Sequence, residues 1–440
     1  MSRSRVVLVQ TTCWIGLSLL GGQSPAIAAD AVPRPTTIPA AGRPATTTSP
    51  AGNNPTAAPL TTPGTDRIEL AAGSGQPEQT CWVYRPPGYG PGQRPPLIVC
   101  LHGTDDTADQ MIEFWRARRM RIPAVIAAPQ GIGQGWCSDD VPAIRAMFDE
   151  LPDRVWYDPH RVLLAGFSAG GAMTFQLLYG ENVPVTAAAA LANYVPPRLT
   201  AEEIRRRRDT PVFYAVGMAD VNHELMRSGL DFLRSAGANV ELYHPSIGHV
   251  LSPGVAQAAV DWFYDQSSRQ TAAAIDQAAL SAEPGPAADR MERIVAQPRW
   301  HEPQHVARAG QVLRDLEAPG EASLRAANEM VAAGQAAAAV ETLRGIEQTY
   351  GIGRLGVAAR QRREQLESDP VVRQQIAQLG ARRRSDEAMA EYAKAQKLVA
   401  DRRLSDAAEA CRRITTVYGD TPAAERAYSL LKILEGRTTP

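Results

Sequence analysis

The sequence predicts an α/β fold, with a mainly parallel sheet covered by helices on both faces, followed by an all-α repeat domain. Three observations lead there. Between residues 66 and 267, short β-rich runs alternate with amphipathic stretches, the pattern of a sheet covered on both sides. From 268 to 440 the strand signal nearly vanishes, and Ala, Arg, Glu and Leu dominate. Within that part, 331–367 aligns without gaps onto 399–435, an offset of 68 residues. A chain of 440 residues has room for two or three domains.

The first 29 residues have the features of an export signal. Arg3 and Arg5 are basic, Val6 to Leu20 is mostly apolar, and Ala26-Ile27-Ala28 supplies small residues for cleavage. Thr11, Thr12 and Ser18 interrupt the apolar run, so no integral membrane span is expected after signal removal, a retained anchor being the alternative. The expected location is periplasmic or extracellular. Residues 30–65 are rich in Pro, Thr and Ala with almost no large apolar side chain, and such a segment cannot offset its conformational entropy by burial. It reads as a spacer. The formal charge of −1, from 46 basic and 47 acidic residues, excludes a strong overall pull toward nucleic acid. Five cysteines are too few for a disulfide scaffold.

In the α/β segment, strands are expected at Cys81–Tyr84, Leu97–Leu101, Ala124–Ala127, Val162–Ala165, Ala187–Ala190, Val212–Val216 and Val240–Tyr243. Helices are expected at Ala108–Arg118, Val141–Leu151, Gly170–Leu178, Glu224–Ser235 and Pro253–Gln266. Residues 268–320 read as a linker with helices, and "EPGPAAD" at 283–289 as a break and a proteolytic boundary. Residues 321–440 read as tetratricopeptide-like hairpins, because 68 is twice 34 and the aligned pairs Ala339/Ala407, Ile346/Ile414, Tyr350/Tyr418 and Ala359/Ala427 are spaced as the small and large residues of helix pairs. Each part is expected to bury its own apolar surface, so the two should be separable, with the repeats offering a docking face to a protein partner.

The chemistry centres on Gly166-Phe167-Ser168-Ala169-Gly170, placed directly after an apolar strand and before a helix. A serine on a sharp strand-to-helix turn needs glycine neighbours, here Gly166 and Gly170, because side chains there would strike the adjoining strand and helix. A serine hydroxyl is a weak nucleophile without a base, and the chain order Ser, acid, His puts Asp220 and His249 in those roles. Both follow strand ends, where an open α/β sheet assembles its site. His244, at a strand end, and His223, opening a helix, are the rival bases, while Asp209 lies on the wrong edge. The oxyanion donors are expected to be the backbone N–H groups of Ala169 and Thr104. His102 reads as a support for the loop that carries Thr104.

The strand ending in His102-Gly103, "QGW" after the next strand, "DDVPAIRAMFDEL", "GFSAGGAM", Asp220 and "GHVLSP" followed by "AVDWF" together resemble the α/β-hydrolase superfamily. The nearest resemblance is to its small exported esterases, of the polyhydroxybutyrate depolymerase, feruloyl or acetylxylan esterase and phospholipase–carboxylesterase kinds. It spans about residues 80 to 266. The resemblance implies that Ser168, Asp220 and His249 form a catalytic triad and that Asp140 belongs to the helix-opening "DD" of those esterases. One loop departs from the depolymerase pattern. Where HG is usually followed by Cys and Gly, this chain has Thr104, Asp105 and Asp106, which argues against a polyester or feruloyl substrate.

The expected activity is therefore hydrolysis of carboxylic esters, on a small or polymer-derived substrate, with neither metal nor organic cofactor. A serine peptidase, or a silent interaction protein using the repeats, is the alternative. Three further motifs are set aside. "GIGRLG" (351–356) has no preceding strand. "HEPQH" (301–305) has Pro303 where a zinc helix must continue. "RRRR" (205–208) reads as a solvated helix face. Cys100 and Cys411 read as packing residues, and Cys81 and Cys137 lie where an oxidising compartment could pair them.

Overall fold

The computed structural model describes residues 59–70 and 79–436; the 1–29 signal and most of the 30–65 spacer lie outside the described residues. Eight strands form one sheet in the order β1-β2-β4-β3-β5-β6-β7-β8. They are β1 (Gly64–Leu70), β2 (Gln79–Arg85), β3 (Leu97–Leu101), β4 (Val125–Pro129), β5 (Val162–Phe167), β6 (Ala187–Leu191), β7 (Val212–Ala215) and β8 (Val240–Tyr243). β2 runs antiparallel to β1 and β4, and the remaining pairs are parallel. The expected mainly parallel sheet is thus present.

The central strands are apolar throughout because both faces are covered. Leu97, Val99 and Leu101 of β3 join one core, and Ile98 and Cys100 join the other. The first core is closed by α2 (Val141–Arg154), α3 (Ala169–Phe175), α4 (Ala201–Arg206) and α5 (His223–Ser235). The second is closed by α1 (Ala108–Arg116) and the start of α6 (Pro253–Ala279). Ser252 accepts a hydrogen bond from the Val255 N–H and Pro253 occupies the first turn, so α6 starts right after the His249 loop.

β1 was not anticipated. It lies at the sheet edge, begins inside the expected spacer, and buries only Ile68 among its described side chains. Arg67 and Glu69 pair on its exposed side, the charged pattern of an edge strand. The arginine run 205–208 has Arg205, Arg206 and Arg208 exposed, but Arg207 turns inward to donate to the Val183 and Val185 carbonyls. All four described cysteines are free thiols, so Cys81 and Cys137 are not paired. Burial pushes the Cys81 and Cys100 thiols up, which makes them poor nucleophiles.

The expected boundary at 267 falls inside α6, which is continuous through it. Val255 to Tyr264 serve the second sheet core, while Ile275 and Ala278 pack with α7 (Pro284–Val295) and the first half of α8 (Pro303–Ala332). The expected break at 283–289 is the start of α7. Pro284 and Pro286 stand in its first turn, where a missing N–H costs nothing and the fixed φ favours the helix.

The remaining helices are α9 (Ala336–Tyr350), α10 (Arg354–Glu367), α11 (Pro370–Ala400), α12 (Leu404–Val417) and α13 (Pro422–Gly436). The 68-residue offset is the length of one three-helix unit, a long helix followed by a hairpin, rather than of two 34-residue hairpins. α8-α9-α10 and α11-α12-α13 are its two copies. Their cores correspond residue by residue, with Leu324, Ala327, Leu343 and Ile346 in one and Tyr392, Ala395, Cys411 and Ile414 in the other. Among the described residues, no helix is long and apolar enough to cross a membrane.

Candidate active site

Three loops at the carboxyl ends of parallel strands bring Ser168, Asp220 and His249 together. Ser168 sits between β5 and α3 with φ 52° and ψ −116°. A Cβ on Gly166 would lie 2.1 Å from the Gly170 carbonyl oxygen, and one on Gly170 would lie 2.4 Å from that of Leu101. Both contacts are with backbone, which cannot step aside, so this turn admits only glycine at the two positions.

Ser168 Oγ lies 2.8 Å from His249 Nε2, and His249 Nδ1 lies 2.9 Å from Asp220 Oδ2. The Asp220 carboxylate is fully buried, and its other oxygen accepts the Asn222 N–H at 2.9 Å. A buried carboxylate acceptor keeps Nδ1 protonated, which leaves Nε2 free to accept the serine proton. The His249 ring rests against Phe167, 5.4 Å between centroids. The Asp220 and His249 loops are joined by Met218 N–H to Pro245 O and Ala219 N–H to Ile247 O, both 2.9 Å.

The rival histidines occupy other positions. His223 and His244 contact each other, Nε2 to Nε2 at 2.9 Å. His102 is buried, with Nδ1 2.8 Å from the Gly103 carbonyl and Nε2 accepting the Gly131 N–H at 3.0 Å. Burial holds it below the ordinary imidazole range, consistent with a neutral loop support.

Ala169 opens α3, so its N–H is among the first-turn donors without an intrahelical acceptor. Thr104 is exposed in the β3–α1 loop, and the following Asp105 N–H is bound to the Gln134 carbonyl at 2.6 Å. A Cβ at Gly135 would lie 3.4 Å from Thr104 Oγ1 and 3.7 Å from the Ala169 Cβ, so Thr104 and Ala169 flank the same loop. That loop is held by Asp140, a fully buried carboxylate that accepts the Ile132 N–H at 2.8 Å and the Cys137 N–H at 2.7 Å. Trp136 adds a bond from Nε1 to the His102 carbonyl at 2.8 Å. In the sequence Asp140 stands at a helix start with no sign of this role, and Phe167 gives no sign that it supports His249, beyond each one's adjacency to a motif.

Two of the motifs set aside lack the backbone geometry that their chemistry needs. "GIGRLG" is the turn between α9 and α10. Pro303 starts α8, so His301 precedes the helix that holds His305. Among the described residues no group of three or more His, Cys, Asp or Glu side chains could hold a metal.

Comparison with protein-family models finds no match. A curated relative from Arabidopsis thaliana, described as "Probable carboxylesterase SOBER1-like", is 30% identical over 112 residues, 24% of this chain and 42% of that protein. The chain therefore matches less than half the length of that relative. Among solved structures, a thermostable esterase is 18% identical over 46% of this chain and 62% of its own, with a TM-score of 0.38. Arabidopsis thaliana SOBER1 is 20% identical over 39% of this chain and 98% of its own, with a TM-score of 0.34.

Proposed function

We propose that the protein is an exported serine hydrolase that cleaves carboxylic esters. The observation that carries this reading is the hydrogen-bonded chain from Ser168 through His249 to the buried Asp220 carboxylate. Ser168 Oγ attacks the ester carbonyl while His249 Nε2 takes its proton, and Asp220 stabilises the imidazolium. The N–H groups of Ala169 and Thr104 receive the developing oxyanion. His249 returns the proton to the leaving alcohol, then activates a water that releases the acid and restores Ser168. No metal or organic cofactor takes part. The likeness to a protein described as a carboxylesterase favours esters over amides.

The export part of the proposal rests on the basic, apolar and small-residue order of the first 29 residues. We further propose that the repeated helices present a surface to a protein partner, in keeping with the exposed Ile352, Tyr428 and Ile433. A fluorophosphonate probe tests the reaction. It should label Ser168, and Ser168→Ala should abolish both labelling and turnover of p-nitrophenyl esters without changing the thermal unfolding midpoint. Full turnover by the alanine variant would refute the mechanism.

A further inference from the structure

Beside the Ser168–His249–Asp220 chain lies a second pair of imidazoles that the proposed reaction does not use. His223 opens α5, three residues after Asp220, and His244 follows β8 at the head of the loop that carries His249. Their Nε2 atoms are 2.9 Å apart, and their ring planes are within 13° of parallel with centroids 5.1 Å apart. For nearly parallel rings the plane spacing cannot much exceed that N–N distance, which is shorter than the roughly 3.5 Å of face-to-face contact. The rings therefore meet edge to edge, through an N–H···N hydrogen bond.

Such a bond has room for one proton on its axis. One Nε2 donates and the other accepts. Glu224 Oε1, 3.3 Å from His223 Nδ1, favours the Nδ1–H form of His223, so that His223 Nε2 accepts from His244. The chain places around the pair the ionisable groups Glu224 and, one turn on, Arg227 of α5, Asp220 before it, Tyr243 at the end of β8 and His249 in the loop beyond. Of these, Asp220 is bound to His249. A first added proton on His244 Nδ1 leaves the bond in place, whereas a second, on His223 Nε2, sets two N–H groups head to head, and the contact must then part.

The position of the pair matters because of what it joins. Backbone bonds from Met218 and Ala219 tie the acid loop to the base loop on one side of Asp220. The imidazole pair ties the same two segments on the other side. We infer that the His223–His244 pair is a positioning clasp, which holds Asp220 and His249 in register and opens when it takes a second proton. This rests on the triad reading above.

The test uses the full-length protein, a soluble p-nitrophenyl ester and pH profiles for wild type, His223→Ala, His244→Ala, the double variant and His244→Gln. Each alanine change should lower kcat about tenfold at pH 8 with KM nearly unchanged, since small misplacement of reacting groups carries large rate costs. The double variant should be no worse than either single one, because both remove the same contact. Glutamine supplies a donor and an acceptor at every pH and should restore most of kcat. The acid limb of log kcat/KM should carry, in wild type, an added drop of about tenfold on top of its unit slope, a step that every variant lacks. A side chain that merely stabilised the fold would leave that step unchanged. The clasp is overturned if both alanine variants keep the wild-type kcat, or if the wild-type limb has unit slope throughout with no added step. The glutamine variant and the wild-type profile keep the test decisive should an alanine variant fail to fold. Ser168→Ala is run alongside. Turnover without Ser168 defeats the triad reading, whereas its loss together with full activity in the clasp variants defeats the clasp alone.

Discussion

Ser168 has a positive φ that an L-residue rarely adopts, and the strain persists because the turn is fixed on every side. Its N–H is bound to the Leu191 carbonyl, and its own carbonyl accepts from Gly171 and Ala172. The hydroxyl is thereby aimed at His249 by the backbone. His249 depends on looser partners, being one-third exposed at its side chain and held by Asp220 on one side and Phe167 on another. His249→Ala should lower kcat by about 10⁴-fold in a p-nitrophenyl ester assay, the scale on which triad function fails. A loss no greater than that of His244→Ala would mean that the base has been misassigned. The meeting of Ser168, Asp220 and His249 was legible because the backbone demands glycines around the serine and because an acid and a histidine follow strand ends in the right order. Asp140 was not legible in that way. It accepts the Cys137 N–H within its own helix-capping turn, but its bond to the Ile132 N–H reaches eight residues back into the loop, and nothing local to residue 140 records that second contact.

At the scale of elements, the central strands were legible because burial on both faces leaves unbroken apolar runs, as in Leu97–Leu101. β1 was not, since a charged edge strand with one buried side chain looks like the spacer before it. The helical half shows the opposite error. The prolines at 284 and 286 look like a break in the sequence yet begin a helix, and the apolar residues of α6 thin out near 267, where the helix passes from one core to another. The consequence is largest at Trp300. This residue follows α7, yet it is fully buried in the second sheet core, donating from Nε1 to Gln93 and accepting from Arg161 at its carbonyl. The sheet therefore does not bury itself with its own helices alone, as the sequence reading expected. Trp300→Ala should destabilise the protein by about 3–5 kcal/mol, the usual cost of emptying a large aromatic site. Thermal unfolding followed by ester turnover would check this, and an unchanged midpoint for both signals would show that the two halves are energetically separate.

For the whole molecule, the junction between sheet and helices is where pH should act on stability. His301 lies there beside Arg161, Tyr264, Ser267 and His305, around a cavity of about 10 Å³, room for one water at most. Burial, reinforced by the Arg161 charge, holds its imidazole down to about 3 from an ordinary 6.5. The unfolded chain then takes up this proton near pH 6.5 while the folded chain refuses it. The stabilisation is accordingly complete above that pH, falls as pH drops from 6.5 toward 3, and levels off below. Asp158 also loses stabilisation in acid, because its burial, which raises the carboxyl, is outweighed by Arg161 and the His160 N–H together, which draw it below the usual range. That contribution is common to any pair of proteins that keep Asp158 and Arg161. Comparing wild type with His301→Gln therefore isolates the histidine. Between pH 7 and pH 4 the wild-type unfolding midpoint should fall further than that of the glutamine variant, by an amount corresponding to a few kcal/mol at most. Parallel melting curves across that range would show that His301 is not held neutral, and that the junction does not govern how the molecule responds to acid.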